Sequence, residues 1–149
     1  ISRWNEFLLK YNKTIDFIDI EESEYTMIAM YVRDLQLHKE RMSKEIKNIL
    51  SFGVDTLIVK KGAKGVEIYN SSGQSHKVEG FPIEVLNVLG AGDAFASGFI
   101  YGYLKGWDIK KSCKMGNACG ALVVLQPGCA NFMPTLNQAL KFINKHGGF

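Results

Sequence analysis

The segment Gly90-Ala91-Gly92-Asp93 carries the most explicit chemistry in this sequence. Two glycines flank one alanine where a strand-like stretch hands over to a helix-like one, so backbone N–H groups can crowd together at the positive end of a helix dipole. That arrangement suits an anion. It is neither of the two commonest phosphate loops. Asp93-Ala94 stands where a Walker loop needs Lys followed by Ser or Thr, and Phe95 stands where a dinucleotide fingerprint needs its third glycine. The distinguishing feature is the carboxylate. Asp93 lies one residue beyond the anion site, where a hydroxyl beside a phosphoryl group could give up its proton. Positioned general-base catalysis contributes about 10² to 10⁴ in rate, while the N–H groups stabilise charge on the moving phosphoryl oxygens. An acid in the first turn of a helix also suits the dipole without any catalytic role.

The elements that must hold this loop follow from hydrophobic periodicity. Trp4, Phe7, Leu8 and Tyr11 predict an amphipathic helix over residues 2–13, and residues 15–20 read as a mostly buried strand. Ser23 can cap a helical stretch over 24–51, with a break near residues 36–39 dividing it in two. Glu40 with Lys44, and Arg41 with Glu45, mark a solvated face. Gly53 closes the stretch before a strand at 55–60. A second strand at 65–70, a turn at 71–74 and a return at 75–78 read as a hairpin. A strand near 83–88 leads into the glycine loop, and a helix follows over 93–105, ended by Gly106. Asp108 caps the next helix, which runs to Leu125. A loop at 128–133 and Pro134 precede a last helix to Lys145. Strands alternating with helices give an α/β protein, with no internal repeat or linker.

Composition agrees. With 149 residues, 46% of them hydrophobic, the chain can build a core without disulfides or metals, burying roughly 70% of its unfolded surface. Lys+Arg 18 against Asp+Glu 15 leaves +3, too little to argue for nucleic acid. There is no apolar run for a membrane span and no signal-peptide pattern, so the reading is a soluble, cytoplasmic protein. Cys113, Cys119 and Cys129 read as reduced, packed thiols, and His38, His76 and His146 are too scattered to form a metal site. The chain opens on Ile1 without an initiator methionine, which suits a piece of something longer.

Residues 87–100, Asn87-Val88-Leu89-Gly90-Ala91-Gly92-Asp93-Ala94 and onward through Ser97 and Gly98 to Ile100, resemble the C-terminal signature of the PfkB (ribokinase-like) carbohydrate kinases. The resemblance extends from about residue 15 to 134. It implies the C-terminal part of a three-layer α/β/α sandwich, with a mainly parallel sheet and an antiparallel hairpin. It implies ATP- and Mg²⁺-dependent phosphorylation of a sugar or sugar-acid hydroxyl, with Asp93 as the base and Gly90, Ala91 and Gly92 as the anion hole. Ser97 and Gly98 would let their helix pack close to the sheet.

Lys60-Lys61-Gly62-Ala63-Lys64-Gly65 is similar to the family's Gly-x-x-Gly element, which puts Lys60, Gly62 and Gly65 along the nucleotide; a plain glycine-containing hairpin is the other reading. Asn117 and Ala121, within Gly116-Asn117-Ala118-Cys119-Gly120-Ala121, would border the adenine, although such small residues equally suit helix packing. Glu24 resembles the acid of an Asn-x-x-Glu motif that places Mg²⁺ through water, with Glu21 where the asparagine is usual. The resemblance also implies a monovalent-cation site, potassium in many members, at Asn87, Leu89 and Gly128. Asn87-Val88 replaces the more frequent Asp-Thr and offers only an amide oxygen. The 127–134 loop, with the 116–121 segment, looks like the branch that phosphorylates 5-dehydro-2-deoxygluconate in inositol breakdown.

Family members run to roughly twice this length. The resemblance therefore places a sugar-binding half and a lid ahead of Ile1 and treats residues 1–149 as one C-terminal portion, inactive by itself. It is compatible with a homodimer of the whole enzyme, with a sugar and ATP as its small-molecule partners. The competing reading is a non-catalytic nucleotide-binding module.

Overall fold

The computed structural model describes residues 17–21 and 35–149. The helix expected over 2–13, its neighbouring cap at Ser23 and the acid Glu24 lie outside the described residues. The chain divides into two compact units, residues 1–61 with 67–77 and residues 62–66 with 78–149.

The first unit is built on a sheet of order β1-β2-β3-β4, made of Phe17–Glu21, Thr56–Lys60, Val66–Asn70 and Ser75–Val78. β1 runs parallel to β2, in register from Phe17 opposite Thr56 to Glu21 opposite Lys60. Parallel neighbours need a crossover, and helix α1 (Leu35–Ser51) lies between them in sequence. The described part of α1 runs unbroken through residues 36–39, contrary to the expected interruption. Leu35-Gln36-Leu37-His38-Lys39 contains neither glycine nor proline, so nothing in it stops a helix.

Ile46 and Ile49 of α1 pack with Val54, Leu57 and Val59. Ile58, pointing to the other face, is also fully buried, so β2 is covered on both sides, as its uninterrupted apolar run requires. β2, β3 and β4 form the antiparallel part. Asn70 shapes the β3–β4 turn: its side-chain oxygen accepts from Gln74 N at 2.9 Å, and Gly73 takes φ 82°. Ser75, His76 and Lys77 leave β4 polar and exposed, which blunts an edge strand against further pairing.

The second unit is three helices, α2 (Ala91–Leu104), α3 (Ile109–Val124) and α4 (Leu136–Lys145). Glycines let α2 and α3 approach almost backbone to backbone. A Cβ at Gly98 would lie 2.9 Å from Met115 O and 3.1 Å from Gly116 Cα, and one at Gly116 would lie 2.7 Å from the Phe95 ring. Gly98 thus serves a helix–helix contact, where a helix–sheet contact was expected. Phe95 and Phe99 stack at 6.2 Å along the same helix. Asp108 caps α3 as anticipated, its carboxylate accepting from Lys111 N at 2.8 Å.

A capping box of Thr135 and Gln138 starts α4. Ala139 and Ile143 then join Phe81, Ala94, Met115, Ala118 and Val123 in the core. Among the described residues no helix is long and apolar enough to cross a membrane.

Residues 83–88 form no strand, against expectation. A strand needs a ladder, and among the described residues this segment's N–H bonds are those of Leu86 and Asn87, both directed at the single acceptor Val124 O at 2.9 and 3.1 Å. Pro82 immediately before it has no N–H to give.

Candidate active site

The glycine loop owes its shape to Gly90. This residue caps α2 in the left-handed region at φ 82°, ψ 2°, which only glycine enters without strain. A Cβ there would also collide with the Cys129 sulfur, so two separate constraints exclude a side chain. Entering the turn, Leu89 N–H donates to Asn87 Oδ1 at 3.0 Å and Ala91 N–H donates to Val88 O at 3.3 Å. Ala94 N–H then closes the first helical bond, to Gly90 O at 2.9 Å. The N–H groups of Gly92 and Asp93 make no hydrogen bond among the described residues. They are the open donors of the helix start, where the dipole adds positive potential. The Asp93 side chain is exposed in that first turn and has no hydrogen bond or ion pair among the described residues. A free carboxylate and two free N–H groups therefore share one turn, the donor set for an anion beside a proton acceptor.

The second loop is a 3₁₀ turn, Gly62–Lys64, closed by Gly65 N–H donating to Gly62 O at 3.0 Å. Gly62 and Gly65 take φ 55° and 82°. Gly65 has no room for a side chain, because a Cβ would strike the backbone of Val78, Glu79 and Gly80. Gly80 is held equally close: a Cβ on it would lie 3.0 Å from Gly65 N. Asn117 reaches the same place. Its Nδ2 donates to Val78 O at 3.1 Å and to Glu79 O at 3.0 Å, which commits both amide hydrogens to backbone. Three residues on, Gly120 lies against the glycine loop, a Cβ there being 3.3 Å from Ala91 O. Within one turn helix α3 thus touches the glycine loop and the Val78–Glu79 backbone against which Gly65 packs. Ala121 is buried in its core.

The structure therefore gathers Gly62, Gly65, Asn117, Gly90, Ala91, Gly92, Asp93 and the 127–129 loop in one unit. Gly128 sits under the Phe132 ring, 2.8 Å from the position its Cβ would take. Lys60 ends β2 in the first unit. Its neighbour Lys61 pairs with Glu67 at 3.2 Å, and Tyr69 OH donates to the same carboxylate oxygen at 2.6 Å. Burial raises the Glu67 pKa, but these two hydrogen bonds with the charges of Lys61 and Lys77 outweigh it, and the net displacement is downward.

Among the described residues no group of three His, Cys, Asp or Glu could hold a metal ion. Sequence reasoning missed Gly80 and Cys129 as shaping residues. Gly80 lies two residues past the end of β4, a signal that was there to read, whereas nothing in the sequence set Cys129 against Gly90.

Comparison with known proteins decides the family. Residues 8–136 match the model of the pfkB family carbohydrate kinases. The chain belongs to that family. Among pfkB relatives it is similar to a 5-dehydro-2-deoxygluconokinase of Clostridium perfringens strain 13, 36% identical over 93% of this chain and 48% of the relative. A 5-dehydro-2-deoxygluconokinase of Clostridium botulinum strain Alaska E43 is 31% identical with the same coverage. The chain thus spans about half the length of the curated pfkB relatives it matches. Its fold is ribokinase-like: a putative ribokinase II from E. coli, solved in complex with ATP and Mg²⁺, superposes with a TM-score of 0.76 at 26% identity, over 97% of this chain and 44% of that one.

Proposed function

We propose that this chain provides the nucleotide side and the base of an ATP-dependent kinase that phosphorylates a sugar or sugar-acid hydroxyl, with 5-dehydro-2-deoxygluconate the first substrate to test. The observation that carries this reading is the single turn in which Gly92 and Asp93 N–H groups stand open beside the exposed Asp93 carboxylate. The similarity to 5-dehydro-2-deoxygluconokinases supports the substrate class.

In this reading the Gly90-Ala91-Gly92 backbone receives the terminal phosphoryl group, and the Asp93 carboxylate takes the proton of the acceptor hydroxyl. The hydroxyl oxygen forms its bond to phosphorus as the bond to the leaving diphosphate breaks, and the proton ends on Asp93. The open N–H groups stabilise the charge that builds on the phosphoryl oxygens without reorganising. Gly62 and Gly65, whose bare backbone presents no side chain to a ligand, would lie along the nucleotide, with Lys60 at the end of its strand adding positive charge. Asn117 and Ala121 would border the base.

ATP fits this donor set, and Mg²⁺ fits it as an ion that keeps several waters and takes phosphate oxygens in place of a protein cage. When bound, Mg²⁺ supplies neutralisation of phosphate charge, with Glu24 as the acid that would hold it through water.

Turnover is measured with MgATP and 5-dehydro-2-deoxygluconate for the full-length protein and its Asp93→Asn variant. The expected result is a fall of about 10² to 10⁴ in kcat with nucleotide affinity kept. Parent-level turnover in Asp93→Asn would exclude the base assignment. The open Gly92 and Asp93 N–H groups also suit a second reading, a nucleotide-binding module without catalysis. Calorimetry that finds MgATP binding with no sugar-dependent turnover selects it.

A further inference from the structure

The family implies a monovalent cation beside the glycine loop, and the side chain of Asn87 does not fit one. Asn87 sits where its side chain can serve two loops. The backbone of the segment is pinned at Val124 O, through Leu86 N–H and Asn87 N–H at 2.9 and 3.1 Å. The side-chain oxygen accepts from Leu89 N–H at 3.0 Å, a local turn two residues long. That bond decides which end of the amide is which, because the reversed amide would set NH₂ against N–H, donor against donor. The NH₂ end is therefore the one facing the other loop, where Nδ2 donates to Pro127 O at 3.5 Å.

A cation bridging these loops needs oxygen atoms with free lone pairs directed at it. The Asn87 side chain directs none across the gap: its oxygen is turned to Leu89 N–H, and its NH₂ group carries the positive partial charge toward the Pro127 carbonyl. An ion placed between Asn87 and Pro127 would meet the amide hydrogens, which carry charge of its own sign.

We infer that the Asn87 amide cross-links the 87–90 loop to the 127–129 loop in the role a monovalent ion would otherwise fill, and that this chain's loop order is independent of potassium. The loop it ties down carries Cys129 against Gly90, so the cross-link also holds the glycine loop in shape. The converse follows from one atom. In Asn87→Asp the first oxygen still accepts from Leu89 N–H, but the second faces Pro127 O, two oxygens with a negative charge between them. A cation between them would neutralise that pair.

The test is thermal unfolding of the protein, Asn87→Asp and Asn87→Ala in potassium chloride and in tetramethylammonium chloride at matched ionic strength. The parent protein is expected to melt at the same temperature in both salts. Asn87→Asp is expected to melt lower in tetramethylammonium and to recover by about 3 °C or more, saturably, in potassium. Asn87→Ala is expected to be lowered equally in both. A saturable, potassium-specific rise in the parent protein overturns the inference and needs no variant to fold. Loss of the salt difference in a folded Asn87→Asp overturns it as well.

Discussion

Gly90→Ala separates two reasons for a glycine at the head of α2. The first is conformational: Gly90 has φ 82°, and an alanine held in the left-handed region costs about 1–2 kcal/mol. The second is steric: the new methyl group meets Cys129 Sγ, and displacing packed atoms costs about 1–3 kcal/mol more. The sum, about 2–5 kcal/mol, corresponds at roughly 2–4 °C per kcal/mol to a fall in melting temperature of about 4–20 °C.

Gly106 supplies the control. It lies in the same unit at φ 72° with nothing within 4 Å of its would-be Cβ, so Gly106→Ala carries the conformational cost alone. Cys129→Ala in the Gly90→Ala background removes the obstacle and is expected to return the steric part, about 1–3 kcal/mol, as a coupling energy in a double-mutant cycle. The assay is urea unfolding of the four proteins in the cycle together with Gly106→Ala. Equal losses for Gly90→Ala and Gly106→Ala, with no coupling to Cys129, would refute the argument that the sulfur confines the loop.

Two further outcomes are expected. The Glu67 carboxyl is held below its ordinary value of 4.5, so its contribution is present above that value and disappears as pH falls through the lower folded one; Glu67→Gln should cost about 1–2 kcal/mol at pH 7 and lose its difference from the parent in urea titrations carried below the folded value. Burial pushes the Cys119 thiol up from 9.0 to about 11, so at pH 8 it should alkylate about a hundredfold more slowly than an unburied thiol. Peptide mapping that found Cys119 labelled as fast as Cys129 would contradict that burial.

Much of the fold is written in local pattern. The hairpin of β3 and β4 is announced by Gly73 and alternating residues, the α3 start by Asp108, and the end of α2 by Gly106, because capping and turn chemistry act within a few residues. The parts that misled are those governed by partners far along the chain. Residues 83–88 have strand-like composition, yet strand formation depends on a neighbour's hydrogen bonds, which composition does not encode. Gly98 was legible as a close-packing residue but not its partner, since an approach to Met115 and Gly116 and an approach to a sheet demand the same missing Cβ. In the site, the glycine loop and Asp93 were readable from spacing alone. The commitment of the Asn117 amide to Val78 O and Glu79 O was not, because it spans nearly forty residues.

Helix α3 offers two segments a common mechanical reference. Asn117 and Gly120 are three residues apart on one face, about 4.5 Å along the axis, and hydrogen bonds within that turn make it the stiffest span available between the segments they touch. A slide or roll of the helix would carry the Val78–Glu79 backbone and the start of α2 the same way. Changing their separation means unwinding a helical turn whose neighbours Ala118 and Cys119 are buried. The spacing between the Val78–Glu79 backbone and the start of α2 is therefore referenced to the pitch of a helix, a length that varies far less than any distance spanned by loop backbone.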